Sequence, residues 1–113
     1  MAEGKFATSV SCMDGRIQLP LANWIKEKFS VDFVDAITEP GVDKTVAENS
    51  DLESIKFKVG ISINAHKSEL IVISGHSDCA GNPVSDDEHI SQIKKGVEVI
   101  SSWNTGAKVI GVW

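Results

Sequence analysis

The sequence predicts an α/β protein in which a four-stranded parallel sheet lies between two layers of helices. Short runs rich in β-branched residues alternate with segments whose apolar residues recur at helical spacing, in the order β-α-β-α-β-α-β. Strands that alternate with helices form parallel sheets covered on both faces. With 113 residues, 42% of them hydrophobic, the chain is expected to form one domain over residues 1–113 with its own core.

Four segments have the composition of strands. The third of them is a continuous apolar run, which is typical of a strand buried on both faces of a sheet. The stretch after the second strand, from Thr38 to Asn49, contains Pro40 and Gly41, a turn signal, and has no clear periodicity. We expect it to be a mobile loop over a site. The four predicted strands are residues 5–11, 31–37, 69–74 and 108–113.

Three helices are expected between these strands. Pro20 predicts the start of the first, because the missing N–H of a proline costs nothing in the first helical turn. The second and third begin with capping boxes, Ser50–Glu53 and Ser85–Glu88, in which a side chain at each end bonds the backbone of the other. The second is expected to run to about His66, and Gly106 is the expected C-cap of the third.

Charge and hydropathy exclude several classes of partner. The formal net charge of −5 provides no basic face for nucleic acid or for an anionic membrane. No apolar run approaches the roughly 20 residues that a membrane helix needs, and the first residues lack the apolar core of a signal peptide. We therefore expect a cytoplasmic protein, in a compartment where thiols stay reduced.

The predicted topology brings three reactive side chains together. If strand two lies on one side of strand one and strand three on the other, the sheet order is 2-1-3-4, and the winding direction reverses between strands one and three. Ligands of open parallel sheets bind beyond the carboxyl ends of the strands at such a reversal. Cys12 follows strand one, and His76 and Cys79 follow strand three, so all three converge on that place.

The two cysteines have three interpretations. They could form a disulfide, they could be inert core thiols, or they could bind a metal. Two thiolates and one imidazole are a suitable ligand set for Zn²⁺, and a catalytic zinc site has three protein ligands and one open position. Asp14 is the candidate for a fourth ligand or for a carboxylate that orients water. Arg16, which is planar and bidentate, is suited to hold that carboxylate away from the metal.

These motifs resemble the β-class carbonic anhydrases. The resemblance is carried by Cys12-x-Asp14-x-Arg16 and, after an apolar strand and Gly75, by the H-x-x-C motif that ends at Cys79. It implies that the two cysteines and the motif's histidine bind zinc and that Asp14 and Arg16 form the dyad that gates the fourth position. It also implies reversible hydration of CO₂ to bicarbonate by zinc-bound hydroxide.

Two other functions remain open. One is a zinc-binding homologue without CO₂ chemistry, either a binding module or a hydrolase of another small electrophile such as carbonyl sulfide or carbon disulfide. It is motivated by the run Thr38-Glu39-Pro40-Gly41, which replaces an Arg-Asn-Ala-Gly run of many β-class members. The other is a thiol redox module.

Assembly and the remaining histidines complete the expectations. A four-stranded sheet leaves two edges that benefit from cover, and the family that this chain resembles dimerises, so we expect a homodimer. His66 and His89 are expected near helix ends, in surface roles.

Overall fold

The computed structural model describes residues 3–113. Its sheet has four parallel strands in the order β2-β1-β3-β4, which confirms the predicted fold and topology. The elements in chain order are β1 (Phe6–Ser11), α1 (Gly15–Phe29), β2 (Phe33–Thr38), α2 (Val42–Glu48), α3 (Glu53–Ala65), β3 (Leu70–Ser74), α4 (Asp86–Ser101) and β4 (Lys108–Val112).

The sheet separates two apolar clusters, one on each face. Successive residues of a strand point to opposite faces, so Leu70 and Val72 of β3 pack toward Ile25 of α1. Ile71 and Ile73 join the larger cluster on the other face, where α2, α3 and α4 pack. The three-layer arrangement follows from this division, and every residue of β3 is buried, as its apolar run predicts.

The first helix begins earlier than predicted. The Asp14 side chain accepts a hydrogen bond from the Arg16 N–H at 2.8 Å and so caps a helix that starts at Gly15. Pro20 therefore lies inside α1 rather than at its first position. The N-cap contributed by Asp14 decides the boundary, and it places Arg16 in the first turn of the helix.

The stretch after β2 contains a helix that the sequence analysis missed. We predicted a mobile loop, but α2 begins after Gly41, which has a left-handed φ of 55°, and buries Val42 and Val46 against the sheet. The capping box predicted at Ser50 is also wrong. The N-cap of α3 is Leu52, and no side chain caps that helix.

The start of α4 was predicted correctly and its end was not. The Ser85 side chain accepts a hydrogen bond from the Glu88 N–H, as the capping box requires. The helix ends at Ser101 with Ser102 as its C-cap, so Gly106 belongs instead to the turn before β4, with a φ of 88°. The longest helix has 16 residues, and within residues 3–113 none is both long and apolar enough to cross a bilayer.

Candidate metal centre

Three potential ligands meet at the carboxyl ends of β1 and β3. Cys12 directly follows β1, and His76 and Cys79 belong to the turn after β3, the neighbouring strand. The two Sγ atoms are 3.8 Å apart. One ligand atom from each of the three residues lies within 4.8 Å of the other two. The structure thus brings together all three side chains that the sequence analysis selected as candidate ligands.

The imidazole of His76 is oriented by its own backbone. Its Nδ1 lies 2.8 Å from the carbonyl oxygen of Ser77 and donates to it, because a carbonyl can only accept. In the neutral ring Nε2 therefore presents a lone pair. That atom is buried and has no hydrogen-bond partner within the described residues. A buried acceptor without a partner calls for an explanation, and a cation beside the two sulfurs supplies one.

The two thiols have different environments. Burial alone would raise the pKa of Cys12, but hydrogen bonds, first among them that from the Gly41 N–H at 3.4 Å, outweigh burial and lower it. Burial raises the pKa of Cys79, and the neighbouring Cys12 raises it further. Burial would lower the pKa of His76, but the nearby Cys12 sulfur and the Ser77 carbonyl stabilise the cation and raise it.

The spacing of the sulfurs fits zinc and excludes a disulfide in this structure. Two sulfurs bound to one tetrahedral zinc at about 2.3 Å each lie about 3.8 Å apart, which is the separation found here. A disulfide would need about 2.05 Å, and both cysteines are free and buried. Two thiolates and one imidazole leave one tetrahedral position for a further ligand, so the donor set suits a zinc site with an open position.

Asp14 and Arg16 form a close ion pair beside this cluster. Arg16 donates through Nε to Asp14 Oδ1 at 3.0 Å and through Nη2 to Oδ2 at 2.6 Å. These hydrogen bonds hold the pKa of Asp14 well below its usual range and raise that of Arg16. The Oδ2 atom lies 4.0 Å from His76 Nε2. The carboxylate is therefore ionised at neutral pH and near the ligands, with both of its oxygens engaged by the guanidinium.

Arg16 also contacts the turn that carries the other two ligands. Its Nη1 donates to Asp78 Oδ2 at 3.1 Å, and its Nη2 donates to the Asp78 carbonyl at 3.0 Å. The Asp78 side chain is 88% exposed, so the backbone contact is the better protected of the two. One guanidinium thus connects the segment after β1 with the segment after β3.

A cavity of about 600 Å³ lies against His76 and Arg16. Its wall is mostly apolar and comes from one side of α1 and the end of β4. The polar residues of its lining include Asp86 and Ser74, whose Oγ is buried without a partner in the described residues. The apolar wall consists of Ile17, Pro20, Leu21, Trp24, Val112 and Trp113.

The sequence analysis missed a buried polar group behind the cluster. We expected a surface role for His89, but its side chain is buried and its Nδ1 lies 2.6 Å from Asp43 Oδ2. One signal for burial was present, since Ile93 and Ile100 lie four and eleven residues after His89, on the same face of a helix. No signal identified Asp43, because α2 itself was not predicted. His66 pairs with Asp35 at 2.7 Å and lies near the end of α3 as expected.

We predict that the metal-free protein alkylates at Cys12 before Cys79. The thiolate is the reacting form, and the lowered pKa of Cys12 and the raised pKa of Cys79 mean that Cys12 ionises first as pH rises. Iodoacetamide labelling with a chelator, followed by peptide mass spectrometry at several pH values, measures this order. Zinc-loaded protein is the control and should label slowly at both positions. Faster labelling of Cys79 at every pH would contradict the assignment.

Comparison with known proteins supports the reading of this cluster. The sequence profile of a family described as "Putative carbonic anhydrase" matches residues 2–113. No curated protein sequence matches the chain significantly. A solved structure named "Solution structure of a phosphate-loop protein" is 19% identical, with 95% of this chain and 76% of that chain covered and a TM-score of 0.41, a likeness too low to support any statement about this one. Because the family profile spans nearly the whole sequence, the chain belongs to this carbonic anhydrase-like family.

Proposed function

We propose that this protein is a zinc-dependent lyase of the β-class carbonic anhydrase type, which catalyses the reversible hydration of CO₂ to bicarbonate. The observation that carries the proposal is the cluster of two sulfurs 3.8 Å apart beside a buried, unpartnered imidazole nitrogen. The family match supports the same reading. Cys12, His76 and Cys79 would hold the metal.

Zinc in such a site supplies a Lewis acid that makes water a nucleophile near neutral pH. The cysteines must be ionised and the imidazole neutral to bind it, so metal affinity falls as pH falls. The hydrogen bond from His76 Nδ1 to the Ser77 carbonyl keeps Nε2 free for the metal. The apolar wall of the neighbouring cavity suits an apolar substrate such as CO₂.

Asp14 orients water and does not store a proton. Its low pKa keeps the carboxylate ionised, so it accepts a hydrogen bond from water but is a poor base. The guanidinium of Arg16 holds both carboxylate oxygens, with Oδ2 4.0 Å from His76 Nε2, and so keeps Asp14 beside the ligand cluster without joining it. In the overall reaction the water oxygen bonds to the carbon of CO₂, one C=O bond gives up an electron pair to its oxygen, and the proton released passes to solvent buffer.

Stopped-flow measurement of CO₂ hydration tests this proposal. The zinc-loaded protein should hydrate CO₂ faster than a Cys12→Ser variant treated identically, because that variant lacks a metal ligand. A rate for the wild type no faster than for the variant would contradict the enzyme assignment.

The apolar wall of the cavity favours a second candidate, because it suits any small apolar electrophile and does not select CO₂. The same ligand set could then serve a hydrolase of carbonyl sulfide or carbon disulfide. A zinc-binding module without catalysis is the remaining alternative. Sulfide release from the two sulfur compounds, measured beside CO₂ hydration, separates these alternatives.

We also propose that the protein is a cytoplasmic homodimer. The strands β2 and β4 form the two edges of the sheet, and Trp24 and Trp113 are 40% and 48% exposed beside the cavity. Unpaired strand edges and exposed aromatic side chains are features that a subunit contact covers. The reduced cysteines suit the cytoplasm. Light scattering that gives the mass of one chain at high protein concentration would contradict the dimer.

A further inference from the structure

Asp43 is a buried carboxylate that the proposed reaction does not use. It lies at the second position of α2 and is 1% exposed. Its Oδ2 accepts from His89 Nδ1 at 2.6 Å, and its Oδ1 accepts from Asn82 Nδ2 at 3.1 Å. Both of these partners are also buried. A buried charge is costly unless it is fully hydrogen-bonded, so the position of this group requires an explanation in the surrounding structure.

The first contact connects Asp43 with the segment that carries Cys79. The two N–H groups of Asn82 Nδ2 are directed at Asp43 Oδ1 and at Gln92 Oε1, the latter at 2.6 Å, so both side-chain donors are engaged. The backbone N–H of the same asparagine donates to the Cys79 carbonyl at 3.3 Å. The turn that begins at Cys79 is thus anchored to α2 and α4 through one amide side chain.

The second contact connects α2 with Cys12. Gly41, two residues before Asp43, donates its N–H to the Cys12 Sγ. A Cβ atom on Gly41 would lie 2.7 Å from the carbonyl of Gly81, and one on Gly81 would lie 2.9 Å from the Gly41 nitrogen. The entry to α2 and the turn after Cys79 therefore pack backbone against backbone, at a distance that only glycine allows.

The third contact reaches the segment that carries His76. A Cβ atom on Gly75 would lie 2.5 Å from Asp43 Oδ2, so the carboxylate is packed directly on the residue that precedes the histidine. The same group therefore touches the segments that bear Cys79 and His76. It lies in the first turn of the helix whose N-cap, Gly41, donates to Cys12. The imidazole of His89 holds the carboxylate from the side of α4.

We propose that Asp43 is a positioning residue for the metal centre, which fixes the spacing of Cys12, His76 and Cys79. It acts on the segment of Cys79 through Asn82, and on the segments of Cys12 and His76 through Gly41 and Gly75. The proposal rests on the metal-binding role of those three residues. It assigns Asp43 no contact with metal or substrate. Its consequence is that metal affinity depends on a buried group that is not a ligand.

The variant Asp43→Asn tests this inference. The amide keeps the shape of the carboxylate but has no charge and only one acceptor oxygen, so the charge-assisted hydrogen bonds from His89 and Asn82 cannot both be kept. We expect zinc affinity, measured by competition with a chromophoric chelator, to fall by about 10-fold to 100-fold, the usual cost of losing a group that orients metal ligands. The thiolate-to-cobalt absorption of the Co²⁺-loaded variant should change in intensity, a readout that does not depend on activity.

Asp35→Asn is the matched control. Asp35 Oδ2 also lies 2.7 Å from an imidazole nitrogen, that of His66, and it accepts from Ser62, but none of these residues belongs to the ligand segments. This variant should lose stability in thermal unfolding and retain the zinc affinity and cobalt spectrum of the wild type. An equal loss of affinity in both variants would overturn the inference, because it would show a general effect of stability.

Gln92→Met and Gln92→Glu provide a second test if Asp43→Asn does not fold. Gln92 is only partly buried, and methionine fills its volume without an acceptor, so Asn82 loses one bond and zinc affinity should fall. Glutamate restores the acceptor and should restore affinity. Unchanged affinity in Gln92→Met, or in a folded Asp43→Asn variant, would overturn the inference while leaving the metal centre in place. A wild type that binds neither zinc nor cobalt would overturn both.

Discussion

Replacement of Cys12 by serine is expected to abolish tight zinc binding. A serine hydroxyl is not ionised near neutral pH and is a poorer zinc ligand than a thiolate, so the site would keep only one sulfur and one imidazole. Cys12 is also the sulfur whose pKa the surroundings lower, through the Gly41 N–H among other contacts. We expect a loss of affinity greater than the roughly 100-fold that follows removal of an outer-shell partner.

Chelator competition and zinc content after dialysis measure this effect, with circular dichroism to establish that the variant folds. Ser9→Ala is the matched control, because Ser9 is buried in β1, three residues before Cys12, outside the cluster of candidate ligands. It should bind zinc as the wild type does. Retention of wild-type affinity by Cys12→Ser would show that this sulfur is not a ligand.

Replacement of Arg16 by glutamine is expected to suppress CO₂ hydration while zinc stays bound. Without the guanidinium, the Asp14 carboxylate loses the hydrogen bonds at 3.0 Å and 2.6 Å that hold both of its oxygens. The backbone N–H of residue 16 still holds Oδ1, so Oδ2 is the oxygen that is released. It lies 4.0 Å from His76 Nε2 and can turn toward the ligand atoms and occupy the position that water needs. We expect kcat/KM to fall by about a hundredfold or more.

Zinc affinity distinguishes this explanation from simple damage to the site. If Asp14 becomes a ligand, the affinity of Arg16→Gln for zinc should be equal to or higher than that of the wild type. Arg16→Lys should be intermediate, because lysine keeps the charge and loses the bidentate geometry. Lys26→Gln, a charge change on the exposed side of the same helix, is the control and should leave both rate and affinity unchanged. Full activity in Arg16→Gln would contradict the role of the ion pair.

The strand β3 and the start of α4 were predictable because their sequence signals are local. The continuous apolar run of β3 and the Ser85 capping box each determine their element without help from the rest of the chain. Right-handed crossovers limited the strand order, and the reversal of winding in the order 2-1-3-4 placed Cys12 beside Cys79.

The errors arose where a tertiary contact decides the local structure. The helix α2 has only seven residues and begins at a glycine with positive φ, so its periodicity is too short to distinguish from a loop. Its apolar residues become helical because Val42 and Val46 are buried against the sheet. The start of α1 depends on Asp14 acting as a cap, and the sequence offered Pro20 as a competing signal.

The candidate ligands were predictable and the groups that support them were not. Cys12 and Cys79 could be selected as candidate ligands from their residue type and from their position after strands. The support that Gly41 gives to Cys12 comes from a backbone N–H, which every residue except proline carries, and its placement depends on the close packing of Gly81. Asp43 and Asn82 are common residue types whose burial is visible only once α2 and the turn after Cys79 lie together.

Zinc-edge X-ray absorption on the purified protein, with the zinc content per chain, tests the proposed metal centre most directly. We predict one zinc per chain, with two sulfur neighbours at about 2.3 Å and one imidazole nitrogen at about 2.0 Å. Protein that holds no zinc after exposure to the metal, or a bound zinc without sulfur neighbours, would contradict it.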